Sequence, residues 1–293
     1  MKFSVIVPAY NADDTIINLL NSFLIQSFND FEVIVVDDCS QDDTPQIVRS
    51  FPYNFIRLTQ NHGPAFCRNV GAGNAKGEVL VFTDSDCVTD QKWLENIHEN
   101  FSQNDIAAIM GKLVLMPSTF LGDSISALGF PAGGAIGFDK IWKVDQNGFT
   151  DSLSSCNCAV RKAVFDNIGG FDETFPYPGG EDSLLAYNLR KYDYRIKYCP
   201  NVVVFHEARD SVKGFLKWQF RRGISSFLFS TKVAAKKRFI GLRMWSTANI
   251  IRHYYRDNKF PLIVCLLGTS LLIQLIGFLY GKHTRGLRAR THH

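Results

Sequence analysis

Two carboxylates at alternate positions, Asp84 and Asp86, are the residues in this sequence whose type and spacing most directly indicate chemistry. They follow residues 79–82, an apolar run typical of a strand covered on both faces, as in a parallel sheet. Ligands of open α/β sheets bind outside the carboxyl ends of the strands, where these side chains would lie. Two acidic oxygens there suit a hard divalent cation, which usually brings a phosphate with it. The alternative is a strand that ends in a solvated turn, since Asp and Ser are ordinary turn residues.

Strands and helices alternate around this pair along the first part of the chain. Apolar runs at residues 3–8, 31–36 and 55–58 predict three further strands, and a helix is predicted after each of them, the last over residues 64–76. The connections are short. This pattern predicts an α/β fold with a doubly wound, mostly parallel sheet and flanking helices.

Two other predicted strands also end in polar or special residues, at Pro8-Ala9-Tyr10 and at Asp37-Asp38. If the strands are parallel, these ends meet Asp84 and Asp86 at one edge of the sheet. The convergence favours a metal and phosphate site over a solvated turn. The glycines at 71, 73 and 77 do not make a dinucleotide fingerprint, because they close a helix instead of opening one and their spacing differs.

Composition narrows the class of protein. The chain has 293 residues, of which 46% are hydrophobic and 20% charged, which excludes a disordered protein. The net charge of +4 is small, but Lys and Arg concentrate after about Lys213 with apolar residues between them. An interfacial membrane segment explains that pattern, and we expect no nucleic-acid partner. The seven scattered cysteines include no C-x-x-C pair, which favours free thiols in a reducing compartment.

Seven short motifs occur in order along about the first 225 residues. They are V-I-V-P-A-Y-N (5–11), V-V-D-D-C-S (35–40), N-H-G-P-A-F-C-R-N-V-G (61–71), F-T-D-S-D (82–86), C-N-C-A-V-R-K (156–162), G-G-F-D-E (169–173) and G-E-D (180–182). Each motif is weak alone, but their order is specific. In this order they resemble the family 2 glycosyltransferases, which have the GT-A fold.

The resemblance implies a nucleotide-diphospho-sugar donor, Mn²⁺ or Mg²⁺, and inverting transfer of the sugar to an acceptor hydroxyl. It implies that the donor is bound by residues of the first four motifs, namely Pro8, Ala9, Tyr10, Asn11, Asp38, Gly63, Arg68, Asp84 and Ser85. It implies that Asp84, Asp86 and His206 hold the metal, which neutralises charge on the departing diphosphate. As lone residues, Arg68 also fits a surface role and His206 a packed or exposed side chain.

The resemblance also implies that Asp182 is the catalytic base. A carboxylate at a helix N-terminus after a glycine turn could take the proton of the attacking hydroxyl, although in isolation Asp182 would be interpreted as a helix cap. Residues 219–223 partly resemble the Q-x-x-R-W motif of processive synthases, with Gly223 in place of Trp. This departure favours transfer of a single sugar, and surface cations on a helix are the ordinary explanation of its arginines.

The C-terminal part has a different character, and we divide the chain into a catalytic domain at 1–225 and a basic, apolar helical region at 226–293. Residues 260–281 carry no charge and are long enough to cross a bilayer as a helix. We expect membrane association through residues 239–281, with the catalytic domain on the cytoplasmic face, where sugar nucleotides occur. Cations lie on both sides of the apolar stretch, so an in-plane helix, a hairpin, a dimerisation helix and a buried core helix stay open.

These expectations describe an enzyme that glycosylates a lipid-linked or surface-polysaccharide acceptor. The alternative is a non-catalytic protein that binds nucleotide sugars with the same fold. A nucleotidyltransferase is disfavoured because the sequence lacks the glycine-rich basic loop that such enzymes use at their N-terminus.

Overall fold

The computed structural model describes residues 1–101, 106–233 and 236–290, without the side chains of 236–240 and 285–290. The strands within these ranges are β1 (Phe3–Ala9), β2 (Phe31–Asp37), β3 (Asn54–Arg57), β4 (Val79–Thr83), β5 (Cys87–Thr89), β6 (Ile106–Leu115), β7 (Phe149–Thr150), β8 (Asn157–Arg161) and β9 (Arg195–His206). The helices there are α1 (Ile16–Leu24), α2 (Thr44–Arg49), α3 (Pro64–Asn74), α4 (Trp93–Phe101), α5 (Phe120–Ser126), α6 (Phe138–Ile141), α7 (Lys162–Asn167), α8 (Glu181–Lys191), α9 (Val212–Lys232), α10 (Lys236–Tyr254) and α11 (Phe260–Arg290).

One mixed sheet, in the order β3-β2-β1-β4-β8-β6-β9-β5 with β7 beside β9, forms the centre of the molecule. The strands from β3 to β4 are parallel, as the sequence predicts, because a helix follows each of β1, β2 and β3 and returns the chain to the same end. The other half contains antiparallel pairs. Only residues 84–86 separate β4 from β5, which leaves no room for a crossover helix, and β5 pairs antiparallel with β9. The α/β fold class is confirmed.

The register of the sheet brings the predicted site residues together. Ala9 at the end of β1 lies opposite Asp37 at the end of β2, and β4 runs beside β1 in the same direction. In the antiparallel pair of β5 and β9, Cys87 lies opposite His206. The residue before Cys87 is Asp86, so the strand pairing alone places Asp86 next to His206.

A buried asparagine joins the two halves of the sheet to the helix layer. Asn157 is fully buried, its Oδ1 accepts a hydrogen bond from Trp93 Nε1 at 2.9 Å, and its Nδ2 donates to the carbonyls of Lys112 and Val202, both at 2.9 Å. A buried amide is tolerated only when it is paired in this way. Asn157 therefore fixes β8 against β6, β9 and α4, below the edge where the site lies.

The C-terminal helix α11 packs along α9 through one of its faces. The packed residues recur every three or four positions: Ile263, Leu266, Ser270, Gln274, Gly277 and Gly281. A Cβ at Gly223 of α9 would overlap the backbone of Gln274, and one at Gly277 would overlap the carbonyl of Phe220. Close approach of the two helix backbones requires both glycines, which explains Gly223 where the synthase motif has Trp.

Hydrogen bonds between buried polar side chains join α9, α10 and α11. Gln219 Oε1 accepts from Gln274 Nε2 at 2.6 Å and from Ser270 Oγ at 3.0 Å. Arg243 Nη2 of α10 donates to Gln274 Oε1 at 2.5 Å. Residue 225, where we place the domain boundary, therefore lies within a helix that is tied to the C-terminal region.

α11 also contains a stretch, Phe260–Thr284, that is long and apolar enough to cross a membrane, with a mean hydropathy of 2.4. Its side away from α9 exposes large apolar side chains: Val264, Leu271, Leu272, Leu275, Ile276 and Leu279. Only 28% of the apolar stretch is buried, which is unlike the core helix of a soluble protein. Length and composition thus agree with membrane association. Residues 239 and 240, at the start of the expected membrane segment, lie outside the described side chains.

Candidate active site

A cleft of about 670 Å³ opens at the carboxyl ends of β1, β2 and β4. All twelve residues that the sequence analysis singles out line it: Pro8, Ala9, Tyr10, Asn11, Asp38, Gly63, Arg68, Asp84, Ser85, Asp86, Asp182 and His206. They come from segments spread over about two hundred positions of the chain, and the sheet register brings them together. Their individual roles stay predictions.

The rim of the cleft, formed by the residues that follow β1 and β2, is held in place by hydrogen bonds to backbone N–H groups. Both oxygens of the Asp38 carboxylate accept from backbone N–H groups, those of His62 and Gly63, at 2.7 Å each. Gly63 has a φ of 89°, in the left-handed region that glycine adopts without strain. Asn11 Oδ1 accepts from the Gln41 N–H at 2.9 Å, while the neighbouring Tyr10 is 51% exposed and free to contact a ligand. Asp38 keeps acceptor capacity on both oxygens for a ribose hydroxyl or a base N–H.

Arg68 is a buried cation between two carboxylates. Its Nη2 lies 2.6 Å from Asp84 Oδ1 and its Nη1 lies 3.1 Å from Glu181 Oε1, and the side chain is only 2% exposed. Its third nitrogen, Nε, is buried without a hydrogen-bond partner in the structure. The surface role that a lone helical Arg suggests is therefore wrong, since Arg68 connects the strand end at Asp84 to the start of α8.

Three carboxylates surround this single guanidinium. Burial and the neighbouring Asp182 raise the pKa of Glu181 to about 7, against the lowering effect of Arg68. Burial also raises the pKa of Asp182, although its Oδ1 accepts from the Ser183 N–H at 2.7 Å and the Gly180 N–H at 3.2 Å. Asp182 is thus a more basic carboxylate than an exposed Asp, fixed at the N-terminus of α8 and facing the cleft.

Asp86 and His206 form the best candidate for a metal site. His206 Nδ1 donates a hydrogen bond to the Glu207 carbonyl oxygen at 2.6 Å, which leaves Nε2 for a second partner. Nε2 lies 3.3 Å from Asp86 Oδ1. At this distance the carboxylate and the imidazole can share a proton on Nε2, and a metal ion in place of that proton would be held by both side chains. Neighbouring ligands in an octahedral Mg²⁺ shell are about 3 Å apart, so the pair fits a shared ion.

Two neighbours of this pair are poorer ligands. Cys87 Sγ lies in the same group, whose ligand atoms are within 4.8 Å of one another, but a thiol is not a ligand that Mn²⁺ or Mg²⁺ prefers. Asp84 lies outside the group, and its Oδ1 bonds Arg68. The expected set of Asp84, Asp86 and His206 is therefore brought together in part, and the place of Asp84 in the set stays a prediction.

The opposite wall of the cleft is basic, and our sequence analysis assigned it no function. Arg209, Arg221, Arg222 and Arg243 line the cleft, together with Trp218. Burial and the positive charge of Arg243 together lower the pKa of Arg222 to about 9, against the raising effect of the Asp182 carboxylate. The motif at residues 219–223 was the available signal. Surface cations are the wrong interpretation of it, because Arg221 and Arg222 face the cleft.

Comparison with known proteins defines the family. Residues 4–169, more than half of the chain, match the family model described as Glycosyl transferase family 2. A relative from Haemophilus influenzae, named an uncharacterized glycosyltransferase, is 42% identical over 221 residues, which are 71% of this chain and 70% of that protein. The chain belongs to glycosyltransferase family 2. It is an enzyme, a glycosyltransferase with the GT-A fold.

Two further proteins are similar to this chain. The poly(ribitol-phosphate) beta-N-acetylglucosaminyltransferase TarS of Staphylococcus aureus is 45% identical over 104 residues, which are 33% of this chain but only 18% of TarS. The structure of TarS residues 1–349 with UDP-GlcNAc superposes with a TM-score of 0.58 and 24% identity, over 93% of this chain and 81% of that one. The mannosyltransferase PcManGT of Pyrobaculum calidifontis, solved with GDP-Man and Mn²⁺, superposes with a TM-score of 0.60 and 21% identity, over 96% and 83%. At these identities, the superpositions show the shared fold.

Proposed function

We propose that this glycosyltransferase transfers one sugar from a UDP-sugar to an acceptor hydroxyl with inversion, assisted by Mn²⁺ or Mg²⁺. The observation that carries the proposal is the position of Asp182, a carboxylate of raised pKa that faces the same cleft as the Asp86–His206 pair. Two relatives support the donor class, since TarS was solved with UDP-GlcNAc and PcManGT with GDP-Man. The 45% identity to part of TarS favours UDP.

Asp182 acts as the general base in this proposal. The acceptor oxygen bonds to the anomeric carbon while the bond from that carbon to the diphosphate oxygen breaks. The electron pair leaves with the diphosphate, and the hydroxyl proton passes to Asp182. A raised pKa strengthens the base, and the N–H groups of Gly180 and Ser183 fix its orientation. Glu181 and Arg68 act indirectly by anchoring the start of α8 beside Asp84.

Asp86 Oδ1 and His206 Nε2 would hold the cation, with the second oxygen of Asp84 as a further ligand. When bound, the cation supplies charge neutralisation for the diphosphate as it leaves. Pro8, Ala9, Tyr10, Asn11, Asp38 and Gly63 would hold the nucleoside, with Arg68, Asp84 and Ser85 beside the diphosphate. In this proposal one wall of the cleft binds the donor, and Asp182 on another wall accepts the proton of the acceptor hydroxyl.

The acceptor in this proposal is a lipid-linked or surface-polysaccharide glycan, and the enzyme acts at the cytoplasmic face of a membrane. The name of TarS, a poly(ribitol-phosphate) beta-N-acetylglucosaminyltransferase, supports a polymer as the acceptor. The exposed apolar side of α11 supports membrane binding.

The packing of α9 on α11 supports a helix that lies in the plane of the membrane surface. The two helices run parallel: Phe215 belongs to the same apolar cluster as Ile263, and the rings of Phe227 and Phe278 meet edge to face with their centroids 5.5 Å apart. If α11 crossed the bilayer, α9 would lie at hydrocarbon depth with cations such as Lys217. Each would cost about 2.5–3.5 kcal/mol at the bilayer centre. An in-plane α11 keeps α9 in the aqueous phase.

Replacing Asp182 with Asn tests the catalytic proposal. The amide cannot take a proton, so we expect the rate of UDP release from a UDP-sugar in the presence of acceptor to fall at least about a hundredfold. The affinity for UDP should change less than about twofold. Asp166→Asn, an exposed change outside the cleft, is the matched control. Undiminished turnover in Asp182→Asn contradicts the assignment, and UDP binding without turnover in the wild type favours the non-catalytic alternative.

Membrane placement is tested with preformed anionic vesicles. Leu272→Glu should reduce flotation of the protein with vesicles at least about tenfold, because it puts a charge on the exposed side of α11. Leu24→Glu, an exposed leucine on α1, should have no effect. Trypsin added outside the vesicles should cleave at Lys282 if α11 lies in the plane. Protection of Lys282 would show a crossing helix.

A further inference from the structure

The basic wall of the cleft carries more positive charge than the protein itself neutralises. Among the residues that the structure describes, none of Arg209, Arg221, Arg222 and Arg243 forms an ion pair with a carboxylate within 4 Å. Arg243 is close enough for its charge to disfavour the charged form of Arg222. Like charges in a partly buried site weaken the fold unless an anion joins them.

The guanidinium groups of Arg221 and Arg222 are held by ring contacts that leave their donors available. Arg222 stacks 3.5 Å from the centre of the Phe130 ring and 5.2 Å from that of Trp218. Arg221 stacks 4.6 Å from the centre of the Tyr177 ring. Stacking uses the flat face of a guanidinium and leaves the N–H edge for an anion, and Arg is suited to bidentate recognition of phosphate oxygens.

A buried hydroxyl lies in the same wall. Ser225 lines the cleft one turn after Arg221 and Arg222, and its Oγ is buried without a hydrogen-bond partner in the structure. Ser225 packs against Gly180, because a Cβ at Gly180 would lie 3.2 Å from the Ser225 Cβ. An unpaired buried hydroxyl is costly, and a ligand oxygen would satisfy it.

The basic wall lies beside the proposed base. Arg222 adjoins Gly179 and Ser225 adjoins Gly180, and these two glycines form the turn that carries Asp182. An anion held there would therefore sit next to the carboxylate that takes the acceptor proton. The donor diphosphate has a separate place in the proposed function, at the Asp86–His206 pair.

We propose that Arg222, Arg243 and Ser225, with Arg221 beside them, bind a phosphate group of the acceptor and place its neighbouring hydroxyl at Asp182. This inference rests on the proposed function, and it narrows the acceptor class to a phosphorylated glycan, polyol or lipid. The donor diphosphate is the other possible source of phosphate at this wall, and the experiment separates the two.

The experiment measures binding, so it needs no turnover. The probe is sn-glycerol 1-phosphate, with glycerol as its uncharged match, and the readout is thermal stabilisation of the full chain. Wild type, Arg222→Gln, Arg243→Gln and Arg222→Lys are compared in saturating UDP and Mn²⁺. Arg252→Gln, an exposed arginine on the same helix as Arg243, is the control. Affinity for UDP is measured separately for every variant.

We expect glycerol phosphate, but not glycerol, to stabilise the UDP-bound wild type. Arg222→Gln and Arg243→Gln should weaken that binding at least about tenfold, Arg222→Lys should weaken it less, and all variants should bind UDP within about twofold of the wild type. Arg222→Gln leaves the Gln219–Gln274 hydrogen bonds intact, so it stays informative if Arg243→Gln folds poorly.

Three results would overturn the inference. The first is a tenfold loss of UDP affinity in Arg222→Gln, which would assign the wall to the donor. The second is competition between UDP and glycerol phosphate for one site. The third is equal binding of glycerol phosphate by wild type and Arg222→Gln. Because UDP release by wild type and Asp182→Asn is a separate assay, each of these results can occur while the glycosyl transfer itself stands.

Discussion

Replacing Glu181 with Gln should change how the stability of the protein depends on pH. Glu181 is 1% exposed and shares the guanidinium of Arg68 with Asp84, while Asp182 adds a third carboxylate nearby. The single positive charge of Arg68 therefore has to neutralise three neighbouring carboxylates. Burial and Asp182 keep the pKa of Glu181 above its ordinary value, so the folded protein holds this proton at pH values where the unfolded chain has lost it.

The size of the effect follows from the pKa. The unfolded chain releases the Glu181 proton near pH 4.5, and the folded protein releases it near pH 7. Between these values the folded state binds more protons, so the free energy of unfolding falls as the pH rises. The full contribution is present below pH 4.5 and is lost as the pH rises through about 7. The shift corresponds to about 3 kcal/mol. Gln cannot titrate, so Glu181→Gln removes this part of the dependence.

Urea unfolding of wild type and Glu181→Gln at pH 5, 6, 7 and 8 measures the difference. The wild type should lose about 2.5 kcal/mol relative to the variant between pH 5 and 8. Glu78→Gln is the control: Glu78 is exposed, and its hydrogen bond to Lys2 lowers its pKa, so it is ionised in both states throughout this range. A difference between wild type and Glu181→Gln that stays constant with pH would refute the argument. A difference of opposite sign would show that Arg68 alone sets the charge of Glu181.

Three further changes test other parts of the structure. Arg68→Met should lower the free energy of unfolding by about 3–5 kcal/mol in urea, because it strips the counter-ion from buried carboxylates; a loss below about 1 kcal/mol would contradict the buried ion pair. Gly277→Ala should cost about 1–3 kcal/mol, because its Cβ meets the backbone of α9, whereas Gly268→Ala on the same helix meets nothing within 4 Å and should be neutral or stabilising; equal effects would contradict the close contact. His206→Ala should weaken Mn²⁺ binding to the UDP complex at least about tenfold in calorimetry, and His253→Ala should not; unchanged binding would remove His206 from the metal site.

The sequence predicts the parallel half of the sheet well, because its signals are local. Each strand from β1 to β4 is an apolar run that ends in a proline, an acid or a turn, and the edge of the sheet follows from their common direction. Asp38 and Asp84 are therefore expected at this edge without knowledge of any distance, and both line the cleft there, while their roles stay predictions. The antiparallel half of the sheet could not be predicted from the sequence in this way, because the pairing of β5 with β9 joins residues more than a hundred positions apart.

Contacts between distant charged residues could not be predicted in the same way. Arg68 and Glu181 are separated by 113 positions, and no local pattern distinguishes a buried guanidinium from an exposed one on a short helix. The position of Arg222 was also hard to predict, but for a different reason. It lies in a stretch of cations that a surface helix would also show, and only the packing of α9 reveals which of its sides faces the cleft.

The two sides of α9 explain why the C-terminal helices matter for the active site. One side carries Arg222 and Ser225 into the cleft, and the other carries Gln219 and Gly223 against α11. A shift of α11 would move the basic wall relative to Asp182, because the backbones of α9 and α11 touch. We infer that membrane binding through the exposed side of α11 and the position of the basic wall are mechanically linked. If Arg243 binds the acceptor as proposed, the region after residue 225 contributes to the acceptor site.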